Sequence, residues 1–145
     1  MTRSRPVVVV TRSVEQSGGL RERLLTAGYD VLEVPVIGIV DAADGGAALR
    51  SALARLTEYD WVVVTSPNGA KRVREAVATA DPARVPKVAV VGPGTAEAVG
   101  RPVDLVASDS IGEGLVDAFP RGPGRVLLAQ AEAARPVVAE GLRTK

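Results

Sequence analysis

The chain has 145 residues, about one domain's worth, and 46% of them are apolar, enough for a buried core. Lys plus Arg number 18 against 17 for Asp plus Glu, and aromatics make up only 3%, so neither a basic field nor stacking rings point to nucleic acid. Cys and His are both absent, which excludes disulfides, thiolate nucleophiles, the commonest zinc sites and histidine acid–base catalysis. Chemistry falls to hydroxyls, amides, carboxylates, Lys, Arg or backbone groups, and no metal site is assigned.

At the amino terminus Arg3 and Arg5 precede Pro6–Val10. That apolar run of about five residues is too short for a signal-peptide core or a membrane span, so a cytoplasmic protein without a membrane partner is expected. Val7–Val10 reads as a buried strand ending in Thr11-Arg12-Ser13. Ser13 and Gln16 have capping-box spacing, but Gly18 and Gly19 would each cost a helix about 1 kcal/mol relative to Ala, so its firm part is expected over Leu20–Ala27. Gly28 supplies a left-handed stop and Asp30–Val34 the next strand, completing a right-handed β-α-β unit that ends at Pro35. Val36–Val40 is a further β-branched run with no intervening turn, as in a chain crossing between domains. Asp44 is a plausible cap for a helix over Gly45–Leu56 whose apolar stripe is Ala48, Leu49, Ala52, Leu53 and Leu56.

The stretch Tyr59–Arg72 organises the rest of the chain. Trp61–Thr65 is uncharged and rich in β-branched residues, as suits a strand covered on both faces. Pro67-Asn68-Gly69 reads as a polar turn, and Ala70, Val73, Ala76 and Val77 recur at helical spacing up to about Asp81-Pro82. Val88–Val91 is the next strand, followed by Gly92-Pro93-Gly94-Thr95 and a short helix over Thr95–Val99. Val103–Val106 is a strand, and Ser110 with Glu113 is a second capping-box spacing, opening a helix to about Phe119. Gly122–Gly124 is a turn and Arg125–Leu128 the last strand. Pro136 fits the first turn of a final helix. The alternation predicts an α/β fold of flavodoxin-like parallel β-α-β units with helices on both faces. A single sheet of about six strands is the alternative to an incomplete chain that continues past Lys145.

Three strand ends carry polar groups. Thr65, Ser66 and Asn68 lie where a strand's carboxyl end meets a helix's amino end, the ligand edge of open α/β sheets; a capped helix with an Asn-Gly turn accounts for them equally well. The loop Gly92-Pro93-Gly94-Thr95-Ala96-Glu97 has Glu97 where a dinucleotide fingerprint needs its third glycine, which argues against nucleotide binding and leaves an anion loop with Thr95 as donor, or a tight turn. Thr11 and Arg12 offer a third set of donors, although most arginines at such ends are solvated. Asp60 stands at a strand's beginning, where a receiver-domain phosphoacceptor would not be. Neither a nucleophile elbow nor a phosphate-binding loop with a lysine is present. Together the loops favour a polyanionic small molecule.

Val-Thr-Arg at 10–12, Gly28 before the strand ending in Pro35, Tyr-Asp-Trp-Val-Val-Val-Thr-Ser-Pro-Asn-Gly at 59–69, Val-Gly-Pro-Gly-Thr-Ala at 91–96, and Gly114-Leu115 before Val126–Leu128 together resemble the uroporphyrinogen-III synthase family. The resemblance implies two flavodoxin-like domains: residues 1–35 would begin the first, 36–40 would be the interdomain connection, 41–145 would form the second, and the rest of the first would lie beyond Lys145. It also implies a lyase of tetrapyrrole (porphyrin, heme) biosynthesis, acting without cofactor on the linear tetrapyrrole hydroxymethylbilane. Carried over, Thr11, Arg12, Thr65, Ser66, Asn68 and Thr95 would bind substrate carboxylates, with Lys71 a weaker candidate. No catalytic residue is assigned, because the family's tyrosine follows the return crossing, and Tyr29 and Tyr59 sit elsewhere. The Gly100-Arg101-Pro102 link is shorter than the family's usual one. These 145 residues alone are therefore expected to be inactive and to self-associate, whereas the full protein is expected to be a monomer. The alternative function is a synthase-like module that binds or senses polycarboxylates without turnover, fused to another domain.

Overall fold

A computed structural model describes residues 5–122 and 124–145, with Glu15 and Gln16 described by their backbone alone. Arg3, the Gln16 half of the first capping box and Pro123 within the Gly122–Gly124 turn lie outside the described residues. The chain divides into two compact units, Met1–Asp41 and Ala42–Lys145.

In the first unit β1 (Val7–Val10) and β2 (Asp30–Glu33) pair in parallel, Val7 opposite Asp30 through Val10 opposite Glu33, joined by α1 (Val14–Thr26). Val10 is buried and Val8 and Val31 half-buried, whereas Val7, Val9 and Leu32, on the other face, are 63%, 54% and 53% exposed. The alternation is that of a sheet covered on one side. The helix runs through Gly18 and Gly19 rather than starting firmly at Leu20, and nothing lies within 4 Å of a β-carbon built on either glycine. Gly18→Ala and Gly19→Ala are therefore each expected to stabilise α1 by about 0.5–1 kcal/mol. A higher urea midpoint at unchanged slope would show it, and an unchanged or lower midpoint would contradict it. Gly28, at φ 89°, closes the helix as expected.

Val36–Val40 is not a strand. The Val34 and Val36 amides still donate to the Val10 and Thr11 carbonyls (2.9 and 3.2 Å), but Pro35 has no N–H to give and β1 has already ended. β-branched composition without a neighbouring strand does not make a ladder.

The second unit is a four-stranded parallel sheet in the order β5-β4-β3-β6. Its strands are β3 (Trp61–Val64), β4 (Lys87–Val90), β5 (Leu105–Val106) and β6 (Val126–Ala129). Trp61 lies opposite Lys87 on one side and Val126 on the other. Val62, Val64, Val88, Val90, Leu127 and Ala129 face one way, against Ala70, Val73 and Val77 of α3 (Pro67–Thr79) and Val99 of α4 (Pro93–Val99). Val63 and Ala89 face the other way, against Leu115 of α5 (Gly112–Ala118), Phe119, and Val138 of α6 (Val137–Arg143). Burial on both faces is why these strands carry uncharged apolar runs.

Several boundaries differ from expectation for identifiable reasons. The helix α2 starts only at Ala47 because Gly45 and Gly46 take φ of 61° and 79°, and it runs to Leu53, followed by a 3-10 turn at Leu56–Glu58. The N-cap is Gly46 and not Asp44, but the Asp44 carboxylate still reaches the first turn, accepting from the Gly46 and Ala48 amides at 2.7 Å each. The Ala48 bond is the largest of the effects that lower that carboxyl's pKa. β5 loses Val103 and Asp104 because the Asp104 carboxylate itself accepts the Val88 N–H (2.8 Å). The α5 helix is preceded by Ile111, not capped by Ser110, whose φ of 58° is incompatible with an N-cap. Pro136 precedes the first turn of α6 instead of lying within it.

Tyr59-Asp60-Trp61 proves structural. The Asp60 carboxylate accepts the Arg125 N–H (2.7 Å), and the Arg125 guanidinium bonds Glu58 (3.1 Å) while lying 5.3 Å from the Tyr59 ring. These contacts tie β6 to β3 at the amino edge. Among the described residues no helix is long and apolar enough to cross a membrane.

Candidate functional site

In the order β5-β4-β3-β6 the chain winds outward from β3 in one direction and then returns to β3's other side, so the topological switch lies between β3 and β6. Ligands of open α/β sheets bind outside the carboxyl ends of the strands at such a switch.

At that point β3 runs into Thr65 and Ser66, both half-buried. Ser66 is the N-cap of α3, and its hydroxyl oxygen accepts the Gly69 N–H at 3.1 Å. Pro67-Asn68-Gly69 is therefore the helix's first turn, not a separate one, with proline at the position that needs no N–H. The cap occupies a lone pair of Ser66 but leaves its hydroxyl proton available. Asn68 is half-buried in the same turn, and Lys71 is exposed on the next. The Thr65 amide donates to the Ala129 carbonyl (3.4 Å), which joins the two strands at the switch.

The neighbouring loop differs from expectation at Thr95. The α4 helix starts at Pro93, so Thr95 turns into the interior, 3% exposed, with its N–H donated to the Gly92 carbonyl at 3.1 Å. It shapes the loop from within, and Thr65, Ser66 and Asn68 are the expected residues left at the edge of this unit.

Three acids also lie at this edge, more than the expected polar row contained, and all are engaged. Asp109 accepts the Ile111 N–H (3.4 Å) and packs against Gly114. Glu132 accepts the Ala43 N–H (3.1 Å). Glu113 pairs with Arg135 at 3.0 Å; its own N–H in the first turn of α5, and then Arg135, hold its carboxyl below the usual range. With its acids turned into protein contacts, the edge carries the half-buried Thr65 and Ser66 hydroxyls and the Asn68 amide. Ser110, exposed beside Gly92, was missed by sequence reasoning because its spacing to Glu113 imitates a capping box.

In the first unit Thr11 and Arg12 are exposed just past the end of β1. Ser13, the N-cap of α1, makes no side-chain cap bond, and its buried hydroxyl has no partner among the described residues. The expected capping box is therefore not formed by Ser13. Ser17 instead donates to Glu33 (2.5 Å), which also pairs with Arg21 (3.3 Å), fastening α1 to the end of β2. Among the described residues no group of three or more acidic side chains is placed to hold a metal ion.

These features define a doubly wound parallel α/β protein. Residues 19–145 match a family model described as "Uroporphyrinogen-III synthase HemD". The chain belongs to the uroporphyrinogen-III synthase family. It is 31% identical over 120 residues to the uroporphyrinogen-III synthase of Synechococcus elongatus, spanning 79% of this chain and 45% of that protein. It is 37% identical over 62 residues to the porphyrin biosynthesis protein HemD of Ruminiclostridium josui, spanning 43% of this chain and 12% of that protein. A crystal structure of a mutant uroporphyrinogen III synthase from the extreme thermophile Thermus thermophilus superposes with a TM-score of 0.68 at 19% identity, covering 97% of this chain and 57% of that one. The chain thus spans less than two thirds of the relatives it matches.

Proposed function

We propose that the protein to which this chain belongs is a uroporphyrinogen-III synthase, closing hydroxymethylbilane into the macrocycle with inversion of the last pyrrole ring. What supports the reading is the family match over residues 19–145, together with a ligand edge of hydroxyls and amides. The substrate loses water at its hydroxymethyl carbon, and the inverted ring arises through a spiro intermediate. Closure without inversion proceeds unaided, so the enzyme's task is to hold the terminal rings in the inverted geometry. Thr65, Ser66 and Asn68 would hold carboxylates at the edge of the second unit, and Thr11 with the bidentate Arg12 would do so in the first. In this reading residues 1–35 begin one domain, 36–40 form the connection and 41–145 form the other.

The test supplies enzymatically generated hydroxymethylbilane to the full-length protein and resolves the isomers. Isomer III is the expected product, and isomer I alone at the unaided rate would overturn the proposal. The 145-residue chain, spanning 45% of a relative's length, is expected to yield isomer I only. That chain is also expected to associate through the uncovered face of Val7, Val9 and Leu32; a monomer mass by light scattering at all concentrations would contradict this.

A further inference from the structure

We propose that Ser110 is a substrate-binding residue, its hydroxyl donating to a carboxylate of the tetrapyrrole above the Gly92 loop. The inference rests on the polycarboxylate reading of the second unit's edge and adds a residue to it.

Ser110 is the one non-glycine residue at positive φ (58°) among the described residues. An L-residue other than Asn or Asp gains nothing locally from that conformation, and such strain concentrates where a side chain must be aimed. Its aim is specific here. A β-carbon built on Gly92 would lie 2.6 Å from Ser110 Oγ and 3.1 Å from its Cβ, so the hydroxyl overhangs the glycine that opens α4. Gly92 itself is extended (φ 178°), so glycine is needed there for room and not for its dihedral angles. The adjacent acid points elsewhere: Asp109 lies against Gly114 and accepts the Ile111 N–H. A hydroxyl therefore faces the loop and a carboxylate does not, which is the selection an anionic guest requires.

The position completes a row. Thr65 follows β3, Gly92 follows β4 and Ser110 follows β5, and these three strands are consecutive neighbours. At about 4.8 Å between adjacent strands, β3 and β5 are roughly 10 Å apart, so donors at their ends can reach separate carboxylates of one tetrapyrrole. The Ser110 side chain is exposed and makes no hydrogen bond among the described residues, so its donor is uncommitted.

The experiment measures uroporphyrin, an octacarboxylate tetrapyrrole, binding to the full-length protein by fluorescence, alongside Tm. Ser110→Gly removes the hydroxyl and relieves the backbone, so affinity is expected to fall about three- to tenfold while Tm holds or rises. Ser110→Asn keeps a donor and tolerates positive φ, so it should bind like the wild type. Unchanged affinity in Ser110→Gly, with Thr65→Ala weakened, overturns the role of Ser110 alone. Parallel loss of affinity and Tm in both Ser110 variants would make the residue structural and also overturn it. Absence of saturable binding by the wild-type protein overturns this inference together with the polycarboxylate edge on which it rests.

Discussion

Leu115→Ala is expected to lower the stability of the second unit by about 3 kcal/mol. Leu115 is wholly buried and is the one buried residue of α5, a helix of seven residues that has no independent stability. It fills the space between Val63 and Ala89 of the sheet and Phe119 and Val138. Collapse into the resulting cavity is obstructed from both sides. The strands are held from their other face by α3 and α4. On the helical side α6 already approaches α5 as closely as glycine permits, since a β-carbon on Gly141 would lie 2.6 Å from Val116 Cγ1. The measurement is urea unfolding followed by Trp61 fluorescence, because the Trp61 ring lies tilted against Phe119, 5.0 Å between centroids, in the same cluster. A loss below about 1 kcal/mol would mean that α5 is not held by this side chain.

What the sequence disclosed depended on which contacts are local. β3 and β4 were legible because a parallel strand buried on both faces must be a charge-free run, and the reach of Asp44 into the first turn of α2 because it spans only four residues. Features set by distant partners were not. Glu113 carries the spacing of a capping box, but its partner is Arg135, 22 residues on, and Ser110 has a dihedral angle that spacing cannot express. β5 begins late because the Asp104 carboxylate accepts the N–H of Val88, 16 residues back.

Thr95 illustrates how a small boundary error moves a site residue. At about 100° per residue, a helix that begins two residues early brings its third residue round by more than half a turn. An expected surface donor becomes a core residue. Thr65 and Ser66 escape this because their place is set by the end of β3, whose register is fixed on both sides.

Gly69→Val is expected to lower stability by about 2 kcal/mol and weaken uroporphyrin binding more than tenfold. A β-carbon at position 69 would already lie 3.2 Å from both the Ala129 carbonyl oxygen and Val64 Cγ1, before the two valine methyls are added. Both neighbours belong to the sheet, and the Ala129 carbonyl also receives the Thr65 N–H. The strands cannot yield, so α3 must back away from the switch point. That movement takes the Gly69 N–H from Ser66 Oγ and carries Asn68 with it, so two of the expected carboxylate-binding residues in this unit are disturbed by one substitution. Gly94→Ala separates the effects, because its β-carbon meets nothing within 4 Å and a helix gains from alanine. If Gly69→Val kept the wild-type affinity while losing stability, the close seating of α3 on β6 would support the fold but not the placement of Thr65, Ser66 and Asn68. If both were lost, the glycine that reads in the sequence as a turn residue would be what lets a helix and two strands meet closely enough to form a site.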